Sequence, residues 1–559
     1  MASIVSSTGA SGLPIDSLVT AQMQAEQQPI TDIKTKISSY NTKLSAYSTL
    51  KSGLSTFQTA VDKLATAAKF NAQAVTASDS TSISATANGT AVLGNYNVTV
   101  SQLATSQKLA TSAYSSATDI VGTGKITISF GTYTAAAGAT PASFTANGDK
   151  SDITIDITSS NNTLAGIRDA INAKNASVSA SIVNDGTGNR LVITSKDTGE
   201  VNSLKVSVAD DDGNNTDTGG LSALAYDPLA SSNNMTQMTA AKNALLTVDG
   251  MSISKSSNTV SDVIQGVTLT LKSVTSASNT LSVSTDTDTI QASVQSFVDA
   301  YNALNTSMRN LTKFVSAGSS SNGALLGDST ARNIMVKLKS MLSASSPTAT
   351  TYKTLTDIGV TMGSDGSLSL DSTKLQKAVT NNVSDVAKLF SPSATSTDPQ
   401  VTFVSSKDDT ASGTYAVNIT QLGGNGVNAN GTINGVTAIT TGSILTGASG
   451  NASYGLQLSV TGTATGSRGT VTFSKGLAGE LSSLLDGWLD SEGALTTKTD
   501  GISSSIKDLN KKADDINAKL PAIEARYRAQ YAKLDALLSS LQSTSTNLTS
   551  QLAAISANS

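Results

Sequence analysis

The 559-residue chain contains no cysteine and no histidine. Without cysteine there are no disulfide staples, zinc–thiolate sites or thiol nucleophiles. Without histidine, the commonest general base and the commonest transition-metal ligand are both missing. Carboxylates, Lys and Tyr remain for acid–base chemistry, and none of them clusters in the sequence. Charged residues are 14% of the chain and the net charge is −4, so no basic stripe exists to follow a phosphate backbone. Nucleic acid is therefore not an expected partner. No apolar run approaches a membrane span, and membrane insertion is not expected either. The first basic residue is Lys34, and the segment ahead of it has no apolar run long enough for the core of a cleavable signal. If the protein leaves the cell, it does so by a route that cleaves no general secretory signal. Stability must then come from packing and assembly.

What is present is a pair of heptad-spaced seams. From Ile30 the apolar positions run Ile33, Ile37, Tyr40, Leu44, Tyr47, Leu50, Leu54, Phe57, Val61 and Leu64. Near the other end they run Ile502, Ile506, Leu509, Ala513, Ile516, Leu520, Ile523, Tyr527, Tyr531, Leu534, Leu538, Leu541, Leu548, Leu552 and Ile555. Steps of three and four place one narrow stripe along a helix, and such a stripe is buried only against another helix. Each end needs a partner, and the opposite end is the nearest candidate. A short amphipathic stretch, Ile15, Leu18, Val19 and Met23, opens the chain, and Pro29 behind it suits the first turn of a new helix. The step from Tyr47 to Leu50 is a stammer, which overwinds a coiled coil locally. Pro521 should kink or break the C-terminal helix, and the step from Tyr527 to Tyr531 shifts the seam again. A helical hairpin within one chain and an intermolecular assembly both satisfy this pattern.

Between the seams the period changes to two. Ile83 and Ala85, Tyr96 to Val100, Ile126 to Phe130 and Ile153 to Ile157 read as strands, and Leu164, Ile167 and Ile171 as a short helix after Thr163. Asn184-Asp185-Gly186 and Asp249-Gly250 mark two hairpins. Helical spacing returns from Ile290 to Leu311, from Ala331 to Leu342 and from Leu375 to Phe390, and these helices should pack against the terminal ones. Gly94 to Leu103 reappears as Gly413 to Leu422, Val248 to Met251 as Ile433 to Val436, and Gly266 to Leu271 more loosely as Gly455 to Val460. The order is preserved, which predicts that residues 401–474 duplicate one β-unit and that 105–240 are inserted in its first copy.

The remaining motifs favour plain readings. An EF-hand register on Asp210-Asp211-Asp212-Gly213 places Val208 first and Gly219 twelfth, so both end ligands are missing and the stretch reads as a solvated turn. The Gly423-Gly424-Asn425-Gly426 cluster opens no helix and reads as a loop, not a phosphate cradle. Ser504 and Lys507 match a Ser-x-x-Lys spacing with no companion motif. The single Trp488 lies among Leu484, Leu485 and Leu489 and reads as a packing residue.

Several blocks carry a family likeness. Gly12 to Val19 followed by Glu26-Gln27-Gln28-Pro29-Ile30 resembles the start of the flagellar filament cap proteins, the flagellar hook-associated protein two family. Leu164 to Asn172 through Leu191 to Ser195 resembles the flagellin hook IN motif. Phe297 to Asn302, Leu325 to Thr330, Ile358 to Val360 and Arg526 to Tyr531 with Leu534-Asp535 are also similar. The resemblance implies a homo-oligomeric cap at the distal tip of the flagellar filament, which retains emerging flagellin and guides its polymerisation without chemistry or cofactors. It also implies contacts with flagellin, with a hook–filament junction protein and, near the C-terminus, with an export chaperone. A secreted adhesin binding host-surface glycans is the alternative from another class, although no aromatic platform supports it. Another flagellar axial protein, a flagellin or a junction protein, is the alternative within the class.

The expected fold is α+β and multidomain, with terminal coiled-coil helices and a helical leg domain carrying β-rich head domains. The expected segments are an amphipathic coiled-coil start at 1–40, a leg helix with the first strands at 41–104, and a β-rich head domain with the IN motif at 105–240. A β-unit at 241–289, a helical leg at 290–390, an additional β-rich insertion at 391–475 and a C-terminal leg helix with coiled coil at 476–559 follow. The extreme stretches, Ile15 to Met23 and Leu541 to Ile555, are the expected contact surfaces.

Overall fold

The computed structural model describes residues 9–424 and 426–557. The first eight positions of the 1–40 segment, Asn425 of the glycine cluster and the last two residues lie outside the described residues. Two compact units emerge, one holding the residues up to Phe70 and from Thr287 onward, the other Asn71–Asp286.

The first element is α1 (Ile15–Leu64), a single helix of 50 residues. This corrects the expected start of a new helix at Pro29, which lies inside α1. A proline there removes one hydrogen bond, to the Ala25 carbonyl four residues back. Ala25 and Pro29 are both exposed, so water can satisfy that carbonyl, and the helix runs on.

The second unit opens with β1 (Gln73–Ala77), β2 (Ile83–Ala87) and β3 (Gly94–Gln102). An inserted segment follows with β4 (Lys108–Ala110), β5 (Gly124–Thr134), β6 (Ser143–Ala146), β7 (Ile153–Ile157), α2 (Leu164–Ala173), β8 (Val178–Asn184), β9 (Asn189–Ser195), β10 (Ser203–Asp210) and β11 (Thr236–Thr239). The unit closes with β12 (Ala244–Val248), β13 (Met251–Lys255), β14 (Thr259–Ile264), β15 (Val267–Leu271) and β16 (Asn279–Thr285). Thr163 caps α2 by accepting from the Gly166 N–H at 3.1 Å. Leu164, Ile167 and Ile171 of that helix share a core with Ile126, Ile128 and Ile155. The flanking strands enclose a separate core around Val98, Val100, Leu246, Leu269 and Leu281. Their antiparallel sheets run β1-β16-β3-β12-β13 and β14-β15-β2. Because β1 to β3 pair within these sheets, residues 41–104 are divided between the two units.

The first unit continues with α3 (Thr287–Thr312), α4 (Ser329–Leu342), the hairpin of β17 (Val360–Met362) and β18 (Leu368–Leu370), and α5 (Ser372–Phe390). After a β-rich stretch, α6 (Gly476–Leu489), α7 (Ala494–Asn517) and α8 (Leu520–Ala557) complete it. Its helical core gathers Leu50, Leu54, Phe57 and Val61 of α1 with Val294, Phe297 and Tyr301 of α3, Leu338 of α4, Phe390 of α5 and Leu485 of α6. The Phe57 ring lies 5.5 Å from Phe297 and 5.8 Å from Tyr301. Tyr47 and Leu50, the positions of the stammer, are both buried in this core while α1 stays one helix. Several helices surround α1 here, so a broad apolar face is buried and no two-stranded seam needs its strict period.

The β-rich stretch contains β19 (Ser393–Ser396), β20 (Val401–Ser405), β21 (Gly413–Gln421), β22 (Asn430–Ile433), β23 (Val436–Thr437), β24 (Ile439–Thr441), β25 (Ile444–Thr446), β26 (Gln457–Val460) and β27 (Gly466–Ser474). Its sheets run β19-β27-β21-β22-β23 and β20-β26-β25-β24. Strand for strand this is the order of the first β-unit, with β24 added at one edge. The strands that carry the repeated sequences, β3 and β21, hold the same topological position. Finer details recur as well. Register slips occur beside Gln102 in one copy and beside Gln421 in the other. Asp249-Gly250 and Asn434-Gly435 both turn with positive φ, 49° and 83° against 53° and 78°, the conformation a two-residue type I′ hairpin demands. Tyr96 and Tyr415 each donate their hydroxyl to the carbonyl four residues earlier. The duplication read from the sequence is therefore present in the fold, with the insertion between β3 and β12 of the first copy.

Candidate assembly surface on the terminal helices

The two seams meet within one chain, and they divide into three zones. In the first zone Leu54, Phe57, Val61 and Leu64 are buried in the helical core, joined by Ile502 of α7 and by half-buried Leu44 and Ile506. These residues hold the fold. In the second zone, Ile30 and Ile33 of α1 are buried with Ala513 of α7, and half-buried Ile37, Leu509, Ile516 and Leu520 pack around them. Residues 30–37 thus face residues 509–520, a helical pair built from the two ends of the chain.

Between Asn517 and Leu520 the helix is interrupted, and α8 restarts with Pro521 as its second residue. That is the break expected from Pro521, placed just ahead of the ring where a proline is tolerated. Beyond it α8 runs along the start of α1. Ile15, Leu18, Ile523, Tyr527 and Tyr531 are half-buried there, and Val19 is 2% exposed. In the stretch from Ile15 to Met23, expected to be a contact surface, the apolar residues Ile15, Leu18, Val19 and Met23 are thus at least half-buried, while Ser17, Thr20, Ala21 and Gln22 are exposed.

Polar contacts fix this zone. The Tyr527 hydroxyl donates to Glu26 Oε1 at 2.9 Å. Arg528 bridges Asp16 Oδ1 at 2.7 Å and Glu524 Oε1 at 2.9 Å, and these two carboxylates hold its guanidinium more firmly protonated than usual. The last clamp is Asp535, which the sequence did not single out as a site residue. Its carboxylate accepts from the Ala10 N–H at 2.9 Å, the Ser11 N–H at 3.0 Å and the Ser11 hydroxyl. The Ser11 hydroxyl and then the backbone N–H groups hold this carboxyl below the usual range. Gly9 lies against the same carboxylate, and a Cβ there would collide with it. The sequence signals at this position are that Leu534-Asp535 belongs to a block with the family likeness and that Asp535 is the last charged residue of the chain.

Beyond the clamp lies the third zone. Residues 536–556 are exposed apart from half-buried Ser539, and they carry no charge. Exposure rises from 42% at Leu534 to 57% at Leu541, 54% at Leu548, 63% at Leu552 and 68% at Ile555, with Leu538 at 37%. These residues form a helical stripe of leucines left open to water, which in folded proteins is the exception among large apolar side chains. Among the described residues no group of His, Cys, Asp or Glu is arranged to hold a metal ion, and no helix is long and apolar enough to cross a membrane. Ser504 and Lys507 are both exposed on α7.

Known proteins resemble this chain in sequence and in fold. Residues 11–107 match the model of the flagellar hook-associated protein 2 N-terminus, residues 241–543 that of its C-terminus, and residues 143–197 the flagellin hook IN motif. The flagellar hook-associated protein 2 of Escherichia coli K12 is 38% identical over 401 residues, covering 70% of this chain and 81% of that protein. The B-type protein of Pseudomonas aeruginosa is 39% identical over 338 residues, covering 58% of this chain and 67% of that one. The crystal structure of the D1-D2-D3 domains of the flagellar cap protein FliD from Escherichia coli aligns with a TM-score of 0.55 at 35% identity, covering 82% of this chain and 99% of that one. With both terminal regions matched in order around the same helical and β-rich parts, the chain belongs to the flagellar hook-associated protein 2 family.

Proposed function

We propose that this chain works as a structural cap at the distal tip of the flagellar filament, where it holds back emerging flagellin and promotes its polymerisation. The observation that carries the contact mechanism is the uncharged, exposed leucine stripe of α8 beyond Asp535. In this reading the helical core and the clamped pair of α1 with α7 and α8 form a rigid support. The distal part of α8 then presents an apolar stripe to the helices of an axial partner, in the manner of helix-in-groove recognition. Flagellin is the partner during elongation, and a hook–filament junction protein is the partner before it starts. The same stripe is the docking place for an export chaperone while the subunit waits inside the cell. Copies of the chain assemble with one another in the cap. Residues 105–240 and 391–475 are separable domains in this reading, supported by their own apolar cores.

Complementation tests the contact mechanism. A strain lacking the gene is supplied with the full chain or with a chain ending after Asp535. With expression raised to offset the lost chaperone site, the truncated chain should reach the outside with its helical core intact and yet leave flagellin in the medium. Filament growth at the full rate with the truncated chain would overturn the role given to the stripe.

A further inference from the structure

The duplicated β-unit has one difference that the common fold does not require. In the first copy 140 residues separate Gln102 from Asn243, and in the second six residues separate Gln421 from Asn428. The ends of both connections are nevertheless held in the same way. Gln102 Nε2 donates to the Asn243 carbonyl at 2.7 Å, and Gln421 Nε2 donates to the Asn428 carbonyl at 3.2 Å. Register slips fall beside both glutamines, so the ladder is interrupted at the same point in the two copies. This amide clamp joins the two strands whatever length of chain lies between them.

The asparagine side chains then differ in what they hold. Asn243 Oδ1 accepts from the Glu200 N–H at 2.9 Å, and its Nδ2 donates to Glu200 Oε2 at 3.3 Å, so it is engaged with the inserted segment. Asn428 Oδ1 accepts instead from the Gly442 N–H at 2.8 Å, in the turn between β24 and β25. The inserted segment also ties its own ends together, by N–H to carbonyl bonds of 2.9 and 3.1 Å between Thr105 and Lys242. A domain closed in this way adds no long flexible loop to its host, and even a flexible loop becomes costlier only slowly with length. At the second clamp a recess of about 420 Å³ opens beside Gly424, where an added Cβ would meet nothing within 4 Å.

We infer that the connection from Gln421 to Asn428 is a second domain-insertion point, equivalent to the one that carries residues 105–240. The occupant it fits is a folded domain whose two termini lie side by side. The Gln421–Asn428 clamp keeps β21 and β22 paired while the Asn428 side chain exchanges Gly442 for the newcomer. The chain thus has a position at which a further solvent-facing domain can be carried without disturbing the helical core.

The test inserts residues 105–242, so that the Thr105–Lys242 pair is kept, with a short glycine linker at each end, between Gly423 and Gly424 of the full chain. A control places the same segment between Asn434 and Gly435, inside a two-residue hairpin with no clamp. Hydrogen exchange is read on peptides covering β21 and β22, which occur once in either protein. After insertion at the clamp, protection should stay within about threefold of the parent, while the hairpin insertion should lose about a hundredfold or more. In the clamp insertion, adding Gln421→Ala should release β22 far more than Gln421→Ala does in the parent. Loss of β21 and β22 protection at the clamp would overturn the inference, and so would equal tolerance of both insertions.

Discussion

Replacing Phe57 and Leu552 by alanine, one at a time, separates the two jobs of what looks like one seam. Phe57 is fully buried and touches two aromatic rings, at 5.5 and 5.8 Å between centroids. Phe-to-Ala changes in well-packed cores cost about 3–5 kcal/mol, and the crowded ring cluster places this one near the top of that range. Leu552 is 63% exposed. Full burial of a leucine is worth about 1.5–3 kcal/mol, so the covered third accounts for roughly 0.5–1 kcal/mol. Much of that cover comes from the helix itself and survives in alanine, so the net effect on the isolated chain is at most about 0.5 kcal/mol. The only tryptophan, Trp488, packs against the helical core and reports its unfolding by fluorescence. With a urea slope near 3 kcal/mol/M, Phe57→Ala should lower the midpoint by about 1 M or more and Leu552→Ala by less than about 0.2 M. Comparable shifts for the two variants would refute the division of the seam into a folding part and an open part.

Three further outcomes follow from single positions. Pro29 sits in the interior of α1, where proline is about 3 kcal/mol worse than alanine, so Pro29→Ala should raise the Trp488-detected stability by up to about that amount. No change would mean that α1 ends at Pro29 in solution. The Asp535 carboxyl is held below its ordinary range, so its contribution is complete above the unfolded-state value and disappears as pH falls through the lower folded value. Exchange protection of the Ala10 and Ser11 amides should therefore persist at neutral pH, vanish in acid, and be lost at all pH values in Asp535→Ala. Gly435 has a φ of 78°, and a left-handed residue with a Cβ costs about 1–2 kcal/mol, so Gly435→Val should lower the melting temperature of the β19–β27 fold. An unchanged melt would contradict the tight turn.

The parts legible in the sequence were those with local periodicity or local turn chemistry. Asp249-Gly250 announced its hairpin, Thr163 its helix cap, and the repeated Gly94 and Gly413 segments a duplicated sheet whose strand order the fold reproduces. Pro29 does not end the helix because the proline rule concerns a lost hydrogen bond, and on an exposed face of a long helix water can satisfy the freed carbonyl. The clamp at Asp535 was out of reach for a different reason. It joins residues more than 520 positions apart, through two backbone N–H groups that leave no trace in side-chain pattern and through one serine hydroxyl in a serine-rich chain. The seam itself was read correctly as helical, but spacing cannot say which stretch is covered. Only the ends of α1 decide that, since α8 runs on past the point where α1 begins.

The most direct measurement is the amount of flagellin shed by cells that lack this gene. A cap that retains and places flagellin predicts abundant monomeric flagellin in the medium and missing or stunted filaments, both restored by the full chain. Filaments of wild-type length with no flagellin in the medium would contradict it.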